Sequence, residues 1–368
     1  MKILYVTTIS LTMNSFFKPH IEMLFSEGHQ VDIACNYNDL ALDNLYSELG
    51  CKFYQIDFSR SPLSPDNIKA YGQLKKVIEN GNYDIVHCHT PNAAAITRLV
   101  SRKFRKTTKL KVFYTAHGFH FFKGAPKLNW MIYYPVEKFC SKYTDKLITI
   151  NKEDFALAKD KFKAKEVCYV PGVGLDLTKF ENIEIDRNTK RRELQVPENA
   201  FLFISVGELS ERKNHKLILQ ALNQIDNSNI HYVIVGKGDL LQELQNYANE
   251  HNMADRVHLL GYRKDIAQLY KASDLCCFPS IHEGLPVALM EAMACGLPAV
   301  CSRIRGNTDL IDKNGGILFD PHSVEECRQA IENMMKNDMK RMGDTNKERV
   351  KNYSIDKIVA EMKSIYEG

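Results

Sequence analysis

The sequence predicts an α/β protein of two doubly wound domains, each a parallel sheet with crossover helices. Three observations carry that expectation. Short β-branched runs alternate with amphipathic helical stretches along the whole chain; 368 residues exceed one ordinary α/β core and suit two; and the segment 171–187 breaks both periodicities.

Strands are predicted at 2–7, 31–35, 53–56, 85–89, 112–116, 147–150 and 167–170, with helical patterns between them. In 15–27, Phe17, Ile21, Leu24 and Phe25 recur on one helical face and Gly28 supplies a left-handed stop, so the segment reads as the helix of a βαβ unit. The second half repeats the logic with strands at 201–206, 232–235, 257–260, 275–278, 299–302 and 316–319. Gly, Pro, Asp and Asn crowd 171–187, which places a boundary near 180: one domain over 1–180, another over 181–353. The remaining 354–368 holds an amphipathic stretch expected to pack back on the first domain. Two such sheets would face a central cleft with the carboxyl ends of their strands, where open α/β sheets take ligands.

Composition narrows the function. Apolar residues make 44% and charged residues 26% of the chain, an ordinary globular balance. With 49 basic and 45 acidic residues, net +4, no global field marks a nucleic-acid binder. The opening apolar run is too short for a signal-peptide core and no stretch reaches membrane-spanning length, so a cytoplasmic location is expected. Ten cysteines show no metal-ligand spacing; Cys88, Cys276, Cys277 and Cys301 lie in strand-like runs and read as small buried apolar residues. No Asp-x-Asp is present, so no metal or other cofactor is expected.

The most informative segment runs from His282 to Pro298. It follows a strand, turns through Gly284, and starts a helix with Pro286 near the first helical position, where its missing N–H costs nothing. Free amides at such a start suit an anion such as a diphosphate. Glu283 precedes the helix and Glu291 lies inside it; two carboxylates so placed can grip diols at the two ends of one long ligand. This segment resembles the E-x7-E motif of family-4 retaining glycosyltransferases of GT-B fold, a fold of two Rossmann-like domains. The similarity covers essentially the whole chain and runs to bacterial enzymes of capsule and exopolysaccharide assembly. The resemblance implies that Glu283 contacts the donor sugar, Glu291 the ribose, and the amides of Gly284 and Leu285 the sugar and diphosphate.

Other segments follow from the same resemblance. The run after the strand 201–206, Gly207-Glu208-Leu209-Ser210-Glu211-Arg212-Lys213, is similar to the family's Gly-Arg-Leu…Glu-Lys segment, whose two cations neutralise the diphosphate. Lys213 matches, but Glu208 stands at the arginine position, leaving Arg212 or Arg305 to supply the second charge. Gly236 sits in a Gly-x-Gly turn where backbone can approach a ligand. Tyr262 and Arg263 lie in what resembles the base-binding loop. His117 matches the family's cleft histidine and His89 is a weaker candidate; for His87 and His89, at the end of another strand, satisfying local backbone groups is the favoured expectation. The family's Gly-Gly loop after the first strand is replaced by 8–12, without glycine.

The function so implied is retaining transfer from a nucleotide sugar, with a UDP-sugar preferred and an N-acetylhexosamine among the candidates, to a glycan or lipid-linked glycan. Basic and aromatic residues interleave over 104–139, from Arg105 and Lys106 to Trp130, Tyr133 and Tyr134, which suggests peripheral contact with the inner face of the plasma membrane or, alternatively, an ordinary core helix. Two other functions compete: a nucleotide-sugar epimerase of the same shape, and a non-catalytic sugar-binding protein. A dinucleotide oxidoreductase is disfavoured, since no Gly-x-Gly-x-x-Gly follows the first strand.

Overall fold

The computed structural model describes residues 1–181 and 183–368. The chain divides into two compact units, Met1–Gly174 together with Ile355–Gly368, and Leu175–Ser354. The first carries β1 (Lys2–Ile9), β2 (Gln30–Asn36), β3 (Phe53–Gln55), β4 (Ile85–His89), β5 (Lys111–Ala116), β6 (Lys146–Thr149) and β7 (Glu166–Tyr169). These strands lie in the order β3-β2-β1-β4-β5-β6-β7, all parallel. The second carries β8 (Phe201–Val206), β9 (Ile230–Val235), β10 (Val257–Leu259), β11 (Leu275–Phe278), β12 (Ala299–Ser302) and β13 (Gly316–Phe319). Their order is β10-β9-β8-β11-β12-β13, again all parallel.

In each sheet the chain builds outward to one side and then returns to the other side of its first strand. The order therefore reverses between β1 and β4, and between β8 and β11. Loops leaving two such strands diverge, and a crevice opens at their carboxyl ends.

A parallel sheet is covered on both faces, so successive strand residues are mostly apolar. In β1, Leu4 and Val6 pack with Val86 and Cys88 on one face, while Ile3 and Tyr5 join Ile33, Ile85 and Phe113 on the other. The helix Ile355–Glu367 closes that second face with Ile358, Met362 and Tyr366, one stripe at helical spacing. Tyr366 Oη is bonded to His87 Nδ1 and donates to Tyr5 Oη, and Lys363 pairs with Glu27. Cys88, Cys276, Cys277 and Cys301 are buried and free, in the apolar role expected of them.

The structure corrects two expectations. The helix read over 15–27 is two helices, Ser10–Phe16 and Lys18–Ser26, with Phe17 between them. Pro19 falls in the first turn of the second, where no N–H is needed; inside one continuous helix it would have removed a hydrogen bond. The aromatics of 104–139 do not face outward as a set. Phe119 and Phe121 are core residues, with Trp130, Tyr133 and Tyr134 packed against them. The helix Lys127–Ser141 instead exposes Leu128, Met131, Ile132, Val136 and Phe139. Among the described residues, no helix is long and apolar enough to cross a membrane.

That helix is tied inward by charge. Arg98, fully buried in the helix Pro91–Thr107, donates from Nη1 to Glu137 Oε2 at 2.8 Å, and its guanidinium lies 4.2 Å from the Tyr114 ring centroid. A guanidinium shut away from water depends on its carboxylate. Glu137→Gln should therefore destabilise the protein by about 3–5 kcal/mol, read as a lower urea midpoint, and the apolar pair Arg98→Met with Glu137→Leu should recover most of the loss.

Candidate active site

β8 and β11 flank the reversal in the second sheet, and the loops leaving them carry the residues singled out above. After β8 the chain passes Gly207 and Glu208 to a 3-10 turn, Glu211–Lys213; after β11 it reaches Glu283 and then the helix Val287–Ala294. Backbone and side-chain bonds lock the loops together. Ile281 N–H donates to Arg212 O at 2.8 Å, and Asn214, in the left-handed region at φ 56°, donates to Pro279 O and Pro321 O.

The result is a shared carboxylate oxygen. Glu283 Oε1 accepts from Lys213 Nζ at 2.7 Å and from Arg212 Nη1 at 2.9 Å. The Lys213 and Glu283 side chains are only 12% and 10% exposed, so this pairing is largely sheltered from water. The Lys213 ammonium lies 4.8 Å from the Phe278 ring centroid. Its stem crosses Gly207, where a Cβ would stand 3.1 Å from Lys213 Cε.

Arg305 is buried and acts on the backbone of the same turn. Its Nε donates to Glu283 O at 3.1 Å and its Nη2 is bonded to His282 Nε2 at 2.6 Å. Gly306, at φ +78°, lets the next turn approach Gly284 O, which a Cβ would meet at 2.4 Å. Pro286 occupies the cap position of the helix Val287–Ala294, next to its first helical residue. The N–H groups of Gly284, Leu285, Val287 and Ala288 have no acceptor among the described residues. Such a group of amides at a helix start is a cradle for an anion.

The remaining candidates divide. Glu208 is 62% exposed and leans toward Arg212, at 3.9 Å. Gly236 brings the loop after β9 against the loop after β8, since a Cβ there would lie 1.8 Å from Gly207 O. Tyr262 is 66% exposed. Arg263 is not brought to the cluster; its guanidinium is held by Asp265 and Glu193, both at 2.6 Å. The carboxylate of Glu291, half-buried, makes no hydrogen bond or ion pair among the described residues, and burial pushes it up to about 7 against the opposing charge of Lys179.

In the first unit, His117 Nε2 is bonded to His89 Nδ1 at 3.2 Å. Burial, reinforced by His20, holds His117 down at about 4, so it is neutral at pH 7. His87 and His89 lie well below the usual range for the same first cause. They do not serve local backbone groups as expected: His87 is bonded to Tyr366 and Thr115, and His89 to His117. Sequence reasoning assigned no role to His282 or Asn214. Asn214 carried a usable signal, since asparagine is the residue besides glycine that tolerates the left-handed region.

Two parallel α/β units with strand-order reversals are those of the GT-B fold, and comparison with known proteins supplies the class of activity. Residues 186–353 match the family Glycosyl transferases group 1, and residues 2–151 match the family Glycosyl transferase 4-like. The chain is 33% identical over 374 residues to EpsD of Bacillus subtilis (strain 168), which bears the name of a glycosyltransferase, covering 99% of this chain and 96% of that protein. It is 30% identical over 318 residues to the UDP-Gal:alpha-D-GlcNAc-diphosphoundecaprenol alpha-1,3-galactosyltransferase of Escherichia coli, covering 84% and 81%. Among solved structures, sucrose-phosphate synthase from Thermosynechococcus elongatus superposes with a TM-score of 0.81 at 19% identity, over 100% of this chain and 98% of the other. Anabaena HepE in complex with UDP gives 0.79 at 18%, over 100% of both. The chain belongs to the group 1 glycosyl transferases.

The raised Glu291 carboxyl has a consequence for stability. Its folded value exceeds that of an unfolded chain, so the native state holds the extra proton, and stability is lost as pH rises from about 4.5 through about 7. Glu291→Gln, neutral and of equal size, should match the wild type at pH 5 and exceed it by about 2–3 kcal/mol at pH 8, as read from urea midpoints. Parallel wild-type and variant profiles would contradict the assignment.

Proposed function

We propose that this glycosyltransferase is a retaining enzyme that moves a hexosyl group from a uridine diphosphate sugar to a hydroxyl of a lipid-linked glycan at the inner face of the plasma membrane, in the assembly of cell-surface polysaccharide. The observation that carries the reading is the Glu283 carboxylate held by Lys213 and Arg212 beside the open amides of Gly284 to Ala288. The name of the E. coli relative supports the donor and the acceptor class, and that of the N,N'-diacetylbacillosaminyl-diphospho-undecaprenol alpha-1,3-N-acetylgalactosaminyltransferase of Campylobacter jejuni, 25% identical over 308 residues, supports the same acceptor class and an N-acetylhexosamine as the sugar moved.

In this reading Glu283 accepts hydroxyls of the donor sugar and Glu291 those of the ribose. Lys213 spends one of its three N–H donors on Glu283 and keeps the others for the diphosphate. The bond from the anomeric carbon to the diphosphate breaks, and the acceptor oxygen bonds to that carbon on the same face. Its proton passes to the departing phosphate oxygen. Lys213, Arg212 and the amides stabilise the charge that builds on that phosphate, so no metal is needed. His117, neutral, is offered as a hydrogen-bonding partner to a sugar hydroxyl.

The test is transfer from radiolabelled UDP-sugars to lipid-linked acceptors, with the anomeric configuration of the product read by NMR. Release of UDP only when acceptor is present supports transfer; an altered donor without acceptor indicates an epimerase, and an inverted anomer refutes retention. Glu283→Gln should lower kcat strongly while UDP binding stays near wild type, whereas Glu291→Gln should weaken UDP binding itself. Lys213→Ala should cost about 1.5–3 kcal/mol in kcat/KM, one to two decades. Arg305→Ala should lower both kcat and the melting temperature, because it releases the turn carrying Glu283; a full loss of activity with unchanged melting would instead mark Arg305 as a direct ligand of the diphosphate.

A further inference from the structure

Three adjoining cavities of the first unit change character in a fixed order. The first, about 760 Å³, lies beyond the carboxyl ends of β1, β2 and β3 and is lined by polar groups including Asn36, Asn38, Asp39, Asp57 and Lys69. The second, about 310 Å³, sits where the strand order reverses, between Thr8 at the end of β1 and Thr90 after β4. It shares Ile9 and Arg60 with the first. The third, about 200 Å³, shares Pro62, Pro91, Asn92 and Tyr133 with the second and is walled by Ala95, Ile96, Ile132 and Val136.

The third cavity opens beside an apolar surface. On the helix Lys127–Ser141, Leu128, Met131, Ile132, Val136 and Phe139 follow helical spacing, and Met131 is 73% exposed. Leu63 and Ile68, next in sequence to the cavity residues Pro62 and Asn67, are 93% and 78% exposed. Exposed apolar side chains grouped in this way mark a binding surface. Arg60 stands at the junction of the polar and apolar parts. Its guanidinium makes no hydrogen bond or ion pair among the described residues, and beside it begins the Pro91–Thr107 helix, with the positive end of its dipole.

We propose that these cavities form one channel for an amphiphilic acceptor: a glycan in the polar cavity, an anionic diphosphate linker at Arg60, and a hydrocarbon chain in the third cavity and along the apolar face of the helix Lys127–Ser141. The inference rests on the lipid-linked acceptor of the proposed function and adds where, and in what order, its parts are held. The charge of Arg60 complements a diphosphate, and the order polar, cationic, apolar is that of a glycan joined to a lipid through one. A free glycan would have no use for the exposed aliphatic stripe.

The chain's only tryptophan, Trp130, lies on this helix and reports the test directly. Decyl diphosphate titrated into the whole protein should change Trp130 fluorescence saturably, while inorganic pyrophosphate and a neutral decyl glycoside should each bind at least about tenfold more weakly. Arg60→Ala and the double change Ile132→Asp with Val136→Asp, all at solvent-facing positions, should each weaken decyl diphosphate by about tenfold without lowering the melting temperature. Arg60→Ala should leave the neutral glycoside unaffected. Binding equal in wild type and variants overturns the channel, and so does co-sedimentation with plain anionic vesicles that is unaltered by diphosphate lipid and by Arg60→Ala, since the stripe would then serve the membrane. Failure of the acceptor reading is seen separately: wild type that transfers sugar to lipid-free glycans alone would refute it whatever the titration shows.

Discussion

One carboxylate oxygen shared by an ammonium and a guanidinium, with little water near it, organises the second unit. A sheltered charge is costly unless paired, and a pair so placed holds whatever elements carry its partners. Here the partners sit on the loops after β8 and β11, so the Glu283 contacts to Lys213 and Arg212 fasten together the two loops that the strand reversal would otherwise let diverge. Arg305 adds a second fastening from the loop after β12, through the carbonyl of Glu283 itself. Gly236 and Gly306 are required because at these two points backbone meets backbone. The donors that would meet negative charge are thus set before any ligand arrives, which is the condition under which they stabilise developing charge without reorganising.

The first unit applies the same sheet plan to a different purpose. Its strand reversal opens onto a run of cavities instead of an ion-paired turn, and its second face is completed by a helix from the far end of the chain. Tyr366 of that helix reaches His87 in the sheet, and the histidines around it are kept neutral by burial. Neutral imidazoles can both donate and accept: His87 bonds Tyr366 and Thr115, its ring packs on His89, and His89 bonds His117, all without net charge.

Charge placement also explains the departure at Glu208. A carboxylate at this position would repel a diphosphate, yet Glu208 is mostly in solvent and directed toward Arg212. Screening by water weakens its repulsion, whereas Lys213 acts from a sheltered position where its charge is felt more strongly.

The strands, the β11–turn–helix that carries Glu283, and the cysteines as apolar packing were all legible in the sequence, because each is a local matter: a short β-branched run bounded by turn residues, or a motif within a few positions. The tertiary structure alone decided which residues meet. Arg263 is taken by Glu193, 70 positions away, Arg305 holds a turn 22 positions before it, and His87 finds its partner 279 positions on. On the helix Lys127–Ser141 both faces are apolar enough to pack, so periodicity could not say that Trp130, Tyr133 and Tyr134 turn inward while Met131, Ile132 and Val136 face solvent. Burial of the Arg98–Glu137 pair settles that orientation. Such pairings depend on strand order and on which helix covers which face, and neither is written in the local period of the chain.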